Sequence, residues 1–219
     1  MKKNNTPPAE NQDFIGSFLE SVIRYCKTHK KGVITALSIL LVAAVLGSCY
    51  SSYTQKITQN SWAAYYNARL ALLTQGEEAA FKQIDQLAKD YSGTNAAEYA
   101  QLSKADLLYA NENFAQAADV YKNLLDANNT AVREIATLSL GATQQALKDY
   151  KSSADLMNTF IKDNPKSFAL PQAYFTLAYS EELAGNKEAA VNAYKHLLEA
   201  YTKTYFGTAA KDRLDQIEK

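Results

Sequence analysis

The feature that most constrains this chain is a three-position phrase that returns at nearly fixed spacing: a small residue, a bulky apolar residue four positions on, and another three beyond. It reads Ala80, Ile84, Leu87; Ala117, Tyr121, Leu124; Ser153, Met157, Phe160; and Ala190, Tyr194, Leu197. Successive first members stand 37, 36 and 37 residues apart. The i, i+4, i+7 spacing lays the three side chains along one face of a helix. A repeat of this length with helical internal spacing marks a solenoid of helix pairs, in which each unit buries its apolar face against its neighbours. Function is then expected on an extended surface and not in a catalytic cavity.

Ahead of the repeats, no charged residue occurs from Gly32 to Gln55. The run Val33 to Leu46, extended through Tyr50, approaches the roughly 20 residues a helix needs to cross a bilayer, which predicts a transmembrane helix over 32–53. Arg24, Lys27, Lys30 and Lys31 crowd its leading side, while Lys56 is the nearest charge beyond it. The positive-inside rule then leaves the N-terminus in the cytoplasm and the rest outside. About 31 residues precede the apolar run, too long a lead for a cleaved signal. Leu46-Gly47-Ser48-Cys49 resembles a lipobox, which leaves an alternative in which Cys49 is the acylated first residue of a lipoprotein. In the anchor reading Cys26 and Cys49 lie on opposite sides of the bilayer. Residues 54–219 hold no cysteine, so no disulfide is expected there.

Residues 1–12 are polar with Pro7 and Pro8, and read as a disordered cytoplasmic tail. Over 13–30, Phe14, Ile15, Phe18, Leu19, Val22 and Ile23 fall on one helical stripe opposite Glu20, Ser21 and Arg24. Such a helix suits either the membrane interface or docking on another membrane protein. Of 23 basic and 23 acidic side chains, residues 1–31 carry six and three, leaving 17 and 20 beyond. No clustered basic stripe appears, so nucleic acid is not an expected partner.

Breakers and caps divide the remainder into helices: Ser51 running on to Thr74 before Gly76, then Glu77–Tyr91, Asn95–Ala110, Phe114–Asp126, Ala131–Leu147, Tyr150–Asp163, Pro171–Ala184 and Lys187–Thr202. A last helix, from Gly207-Thr208 to about Glu218, reads as a cap with Ala209, Ala210, Leu214 and Ile217 inward and Lys211, Asp212, Arg213 and Asp215 toward water. No segment alternates with period two. The expectation is an all-α chain: one transmembrane helix, then an α-solenoid of about four helix pairs over 54–219.

The phrase resembles the second helix of a tetratricopeptide repeat. Tyr174, Leu177, Ala178, Gly185, Ala190, Tyr194 and Leu197 fall where that family places its characteristic residues. So do Leu140, Gly141, Tyr150, Ser153, Met157, Phe160 and Pro165 one repeat earlier, and Ala105, Leu108, Phe114, Ala117, Tyr121 and Leu124 before that, with Lys104 where Leu is usual. The first unit keeps Ala68 and Ala80 but lacks the Gly-x-Tyr turn. The whole layout, a short leader, one N-in span and an external repeat domain, resembles the ancillary Sec-translocon subunit family of bacterial inner membranes. That resemblance implies a periplasmic domain binding translocon subunits, chaperones or unfolded clients. Periplasmic repeat proteins of cell-division coordination and outer-membrane protein assembly are also similar, and give the lipid-anchored scaffold as the alternative. A further rival makes the N-terminal amphipathic helix the active element and the repeats its sensor.

Catalysis needs a nucleophile with a base, a metal cluster or a phosphate cradle, and the sequence offers none. With His29 beside the membrane, His196 is the one histidine of the repeat region, where it reads as an exposed polar residue. Zinc lacks ligands there, and no Gly-rich loop follows a strand. Glu77-Glu78 and Glu181-Glu182 read as helix surface. No enzyme activity, cofactor, metal or small-molecule substrate is expected. The notable abundance is 15 tyrosines. In the tetratricopeptide resemblance, outward positions of first helices line a concave groove; these are Trp62, Tyr65 and Arg69; Tyr99, Leu102, Asp106 and Tyr109; Leu138 and Gln145; and Phe175, Tyr179 and Glu182. An aromatic groove suits extended apolar segments; the competing reading places several of these rings between repeats.

Overall fold

A computed structural model of the chain describes residues 10–217, with side-chain environments from residue 16 onward. All regular structure among these residues is helical: α1 (Glu10–Thr28), α2 (Lys30–Thr74), α3 (Glu77–Asp90), α4 (Asn95–Ala110), α5 (Phe114–Asn123), α6 (Thr130–Ala146), α7 (Tyr150–Asp163), α8 (Leu170–Leu183), α9 (Lys187–Ala200) and α10 (Tyr205–Ile217). Glu10 to Gln12, expected in the tail, already belong to α1. Residues 1–9 and Glu218 lie outside the described residues. Packing divides the chain into two units, Met1–Lys56 and Ile57–Lys219.

The first unit is α1 with the leading part of α2. Phe18, Leu19, Val22 and Ile23 are all exposed; Phe14 and Ile15 precede the described side chains. From Ile34 to Leu46 the large apolar side chains of α2 are likewise exposed, and α2 is long and apolar enough to cross a membrane. At 1.5 Å per residue the uncharged stretch Gly32–Gln55 reaches about 36 Å, more than the roughly 30 Å hydrocarbon core.

In the second unit, α4/α5, α6/α7 and α8/α9 form consecutive pairs closed by α10, and the end of α2 pairs with α3 through Ala68, Ile84 and Leu87. Every position of the recurring phrase is buried, from Ala190 at 0 % exposed to Ile84 at 6 %. First helices pack on one another, α4 on α6, α6 on α8 and α8 on α10. Among the described residues no packing joins α5 to α7 or α7 to α9. The first helices therefore form the tight inner face and the second helices splay outside.

Each pair turns through one residue in the left-handed region, at Gly76 (φ 90°), Glu112 (61°), Lys148 (63°) and Gly185 (82°). Two of the four turns supply glycine, and the other two hold a side chain where it costs about 1–2 kcal/mol. Close approach sets the small positions. A Cβ on Gly141 would lie 2.9 Å from Met157 Cε, and Ser153 Oγ donates to the Gly141 carbonyl at 2.8 Å. Ser180 Oγ lies 2.8 Å from Ser153 Oγ. Gln145, expected in the groove, instead donates from Nε2 to Thr176 O at 2.9 Å and Ser180 Oγ at 2.8 Å, tying α6 to α8.

Carboxylates stitch the junctions. Buried Glu98 accepts from the backbone N–H groups of Asn128 and Asn129 at 2.8 and 3.0 Å, satisfying donors ahead of α6. One repeat on, Glu134 accepts from Ser167 Oγ at 2.7 Å. Lys104 pairs with Asp85 of α3 at 2.6 Å and lies 5.4 Å from the Phe81 ring centre, so the family's usual Leu is replaced by a tie between α3 and α4. At the end of the chain Ala210 and Leu214 are buried. A Cβ on Gly207 would lie 2.2 Å from the Tyr201 carbonyl oxygen, so that contact requires glycine. Lys211, Asp212 and Asp215 face water as expected, but Arg213 is half-buried. Its guanidinium pairs with Glu182 and lies 5.3 Å from the Tyr179 ring centre, because the cap needs a polar tie back to α8. Glu182 is accordingly not plain helix surface.

Candidate protein-interaction face

The expected groove residues separate into two clusters and some strays. At the leading end, Trp62 and Tyr65 of α2 meet edge-on at 5.5 Å between ring centres, and Trp62 lies 6.1 Å from Tyr99 of α4. Tyr66, not among the expected positions, joins at 5.6 Å from Tyr65 and is 61 % exposed. Trp62, Tyr65 and Tyr99 are half-exposed. Beside them Tyr65, Arg69, Leu72, Ser103, Asp106 and Leu107 line a cleft of about 370 Å³ floored by Ala68, Ala80 and Ile84. Arg69 lies 5.8 Å from the centre of the Tyr65 ring. The arrangement offers flat rings, one cation and one carboxylate around an apolar floor, which suits an extended peptide.

At the trailing end, Phe175 and Tyr179 stack at 6.3 Å, but Phe175 also meets Tyr194 and Phe206, each at 5.8 Å. Rings from α8, α9 and α10 thus meet it, and it packs, partly buried, against the core beneath the cap. Tyr109 stands apart, its ring on Phe114 at the α4–α5 turn. Tyr99 and Phe175 sit on α4 and α8, with α6 between them. Leu102 and Leu138, expected on the groove, are buried at 6 % and 4 % exposure within core clusters. A first helix packs on a second helix and on both neighbouring first helices, and that arc takes in both leucines.

Two fully enclosed tyrosines anchor the second helices to the inner face. Tyr121 Oη donates to Asp106 at 2.6 Å, and Tyr194 Oη donates to Glu182 at 2.9 Å. Burial, then the adjacent carboxylate, pushes both phenols well above the ordinary tyrosine range. His196 is exposed, its ring 4.5 Å from Tyr174. A larger cavity of about 580 Å³ opens between α3, α4 and α5, where the Lys104–Asp85 and Glu98 ties occupy part of the polar lining. Among the described residues no three His, Cys, Asp or Glu side chains gather as metal ligands.

The sequence reading passed over one site. Ile135 and Leu138 of α6, Phe168, Ala169 and Pro171 at the start of α8, and Tyr205 and Phe206 at the start of α10 line a cleft of about 380 Å³. Phe168 is 83 % exposed and Tyr205 80 %. A signal was present, because these two aromatics stand 37 residues apart, one repeat length.

Residues 24–219 match the tetratricopeptide repeat-like domain family, and the chain belongs to it. Among solved structures it is similar to the nearly identical TPR-like repeats of a Podosopora anserina protein described as a kinesin light chain. The identity there is 14 %, over 71 % of this chain and 83 % of that one, with a TM-score of 0.54. It is also similar to MamA, residues 41 to the end, from Desulfovibrio magneticus RS-1, at 14 % identity over 74 % and 95 % of the two chains, with a TM-score of 0.51. At these identities the likeness establishes the fold. A comparison with curated proteins gives no match. Domains of this family generally bind protein partners.

Proposed function

We propose that this is a single-pass protein of a bacterial inner membrane, anchored through the uncharged part of α2 with its N-terminus in the cytoplasm. Its repeats lie in the periplasm and bind other proteins in a non-catalytic role, beside the Sec translocon and periplasmic chaperones. The observation that carries the binding role is the half-exposed cluster of Trp62, Tyr65, Tyr66 and Tyr99 on the inner face. Aromatic rings there supply large contact area at low entropic cost. The anchor reading is supported by the charge asymmetry about Gly32–Gln55 and by the exposure of every large apolar side chain from Ile34 to Leu46.

Crosslinking in intact membranes, followed by identification of the attached proteins, tests the partner reading. Translocon subunits, chaperones or secretory clients are the expected adducts; a purely cytoplasmic set would overturn it. Protease added to spheroplasts should degrade the chain from about Ser51 onward and spare residues 1–31. An acyl chain on Cys49 found by mass spectrometry would replace the span with a lipid anchor.

A further inference from the structure

We infer that α1 lies along the surface of the cytoplasmic leaflet, its apolar stripe sunk among the acyl chains and the cations at its trailing end on anionic lipid headgroups. The inference rests on the reading of α2 as a span with its N-terminus in the cytoplasm, and it gives the segment ahead of that span a lipid surface as its partner.

Nothing in the chain itself covers the stripe. Phe18, Leu19, Val22, Ile23 and Tyr25 are exposed, and among the described side chains of α1 none is buried. At about 100° per residue, Tyr25, Phe18, Val22, Cys26, Leu19 and Ile23 fill one continuous arc of about 160°, with Glu20, Arg24 and Lys27 on the opposite side. The unit that holds α1 contains, as its other element, only the leading part of α2, and in the anchor reading the repeats lie across the bilayer. The occupant of the stripe is therefore external.

Distance and charge both select a bilayer. Only His29 separates α1 from α2. Were α1 to stand off the membrane in line with the span, Phe18 would sit about 21 Å beyond Gly32, well outside a headgroup layer about 5–8 Å deep. Laid along the surface, the same stripe meets acyl chains over its whole length. From Ser21 to Lys31 the chain carries Arg24, Lys27, Lys30 and Lys31 and no carboxylate, whereas Glu10, Asp13 and Glu20 all precede. Among the described residues none of these four cations is held in an ion pair. A basic cluster beside a span is drawn to anionic headgroups, and lysine and arginine stems reach them along the apolar surface. The Tyr25 ring, 4.7 Å from that of His29, falls at the junction with the span, the level that tyrosine favours in a membrane. A protein groove would have to match the shape of the arc; a fluid bilayer needs only its width and its charge.

The full chain, carrying Cys26→Ser and Cys49→Ser, is spin-labelled through Val22→Cys, Ser17→Cys or Ile39→Cys and placed one copy to a nanodisc, in phosphatidylcholine alone or mixed equally with phosphatidylglycerol. Collision with oxygen, which concentrates in lipid, and with a water-soluble nickel chelate gives the depth of each label. In the anionic discs the label at 22 should favour oxygen and the label at 17 nickel. Amide exchange over residues 18–28 should be at least about tenfold slower there than in neutral discs. Arg24→Glu with Lys27→Glu should abolish that difference, and Lys187→Glu in the repeats should leave it unchanged. Equal exchange in the two lipids overturns the charge assignment. The label at 39 should read lipid throughout, and nickel contact there overturns the span together with the proposal. A lipid-buried label at 39 with equal nickel contact at 17 and 22 overturns the proposal and leaves the span standing. A label at 22 that meets water in discs but is immobilised in native inner membranes assigns the stripe to another protein, and one that leaves water only when two copies share a disc assigns it to a second copy. Either result overturns the proposal.

Discussion

The two ends of the repeat unit carry similar aromatic side chains on equivalent first helices and use them differently. Phe175 is hemmed in by Tyr179, Tyr194 and Phe206, with Arg213 locked to Glu182 beside it. Among the described residues Tyr99 has one ring neighbour, Trp62, and that cluster ends in Tyr66 at 61 % exposure. Two things differ: Phe175 stands three residues before Ala178, in the same column as the buried Leu102 and Leu138, and α10 covers the last pair, whereas the face of α2 bearing Tyr66, Leu70 and Leu73 is exposed. An aromatic position in a repeat is therefore core or contact surface according to what lies beyond it, and the residue type alone does not say which.

The contrast is broken most forcefully at the enclosed rings. Tyr194→Ala should cost about 3–5 kcal/mol of stability, read as a lowered denaturant midpoint, while Tyr66→Ala should stay within about 0.5 kcal/mol. If both variants melt alike, the two ends do not differ. Overpacking comes next: Ala190→Leu forces helices apart where they nearly touch, and Gly207→Ala drives a Cβ into the backbone of Tyr201 and Thr202, each at about 1–3 kcal/mol. Arg213→Gln should cost about 1–2 kcal/mol, because it leaves Glu182 without its guanidinium partner. Arg69→Gln at the other end should change stability by less than about 0.5 kcal/mol.

Smaller effects sharpen the picture. Lys148→Gly should gain about 1 kcal/mol by relieving a left-handed residue, whereas Gly185→Ala should lose a similar amount. Alkaline titration reports on Tyr121 and Tyr194. Both phenols are held above their ordinary range, so the folded chain keeps protons that the unfolded chain sheds above about pH 10. Their contribution is intact below that pH and declines as pH rises past it, by under about 1 kcal/mol each at half a unit above. A stability curve flat through pH 10.5 would contradict this.

Much of this architecture was legible because a solenoid repeats its packing rule. The Ala80, Ala117, Ser153 and Ala190 column predicted buried contacts, and the Gly76 and Gly185 turns fell where the helices end. The left-handed turns at Glu112 and Lys148 were hidden, since only the period and not the residue marks them. The tetratricopeptide resemblance supplied the groove positions; the structure leaves Trp62, Tyr65 and Tyr99 half-exposed in a chain of ring contacts and buries Leu102 and Leu138, which neighbouring helices claim. Whether Phe175 is covered depended on α10, a tertiary contact some 30 residues away in sequence. Phe168 and Tyr205 escaped because one lies in the junction before α8 and the other is the first residue of α10, where no helical periodicity marks them.

Site-specific photo-crosslinking in living cells, with benzoylphenylalanine in place of Tyr99 or Phe175, tests the central claim most directly. The account predicts partner adducts from position 99 and none from position 175, with the position-175 variant melting lower. Adducts from 175 and none from 99 would contradict it.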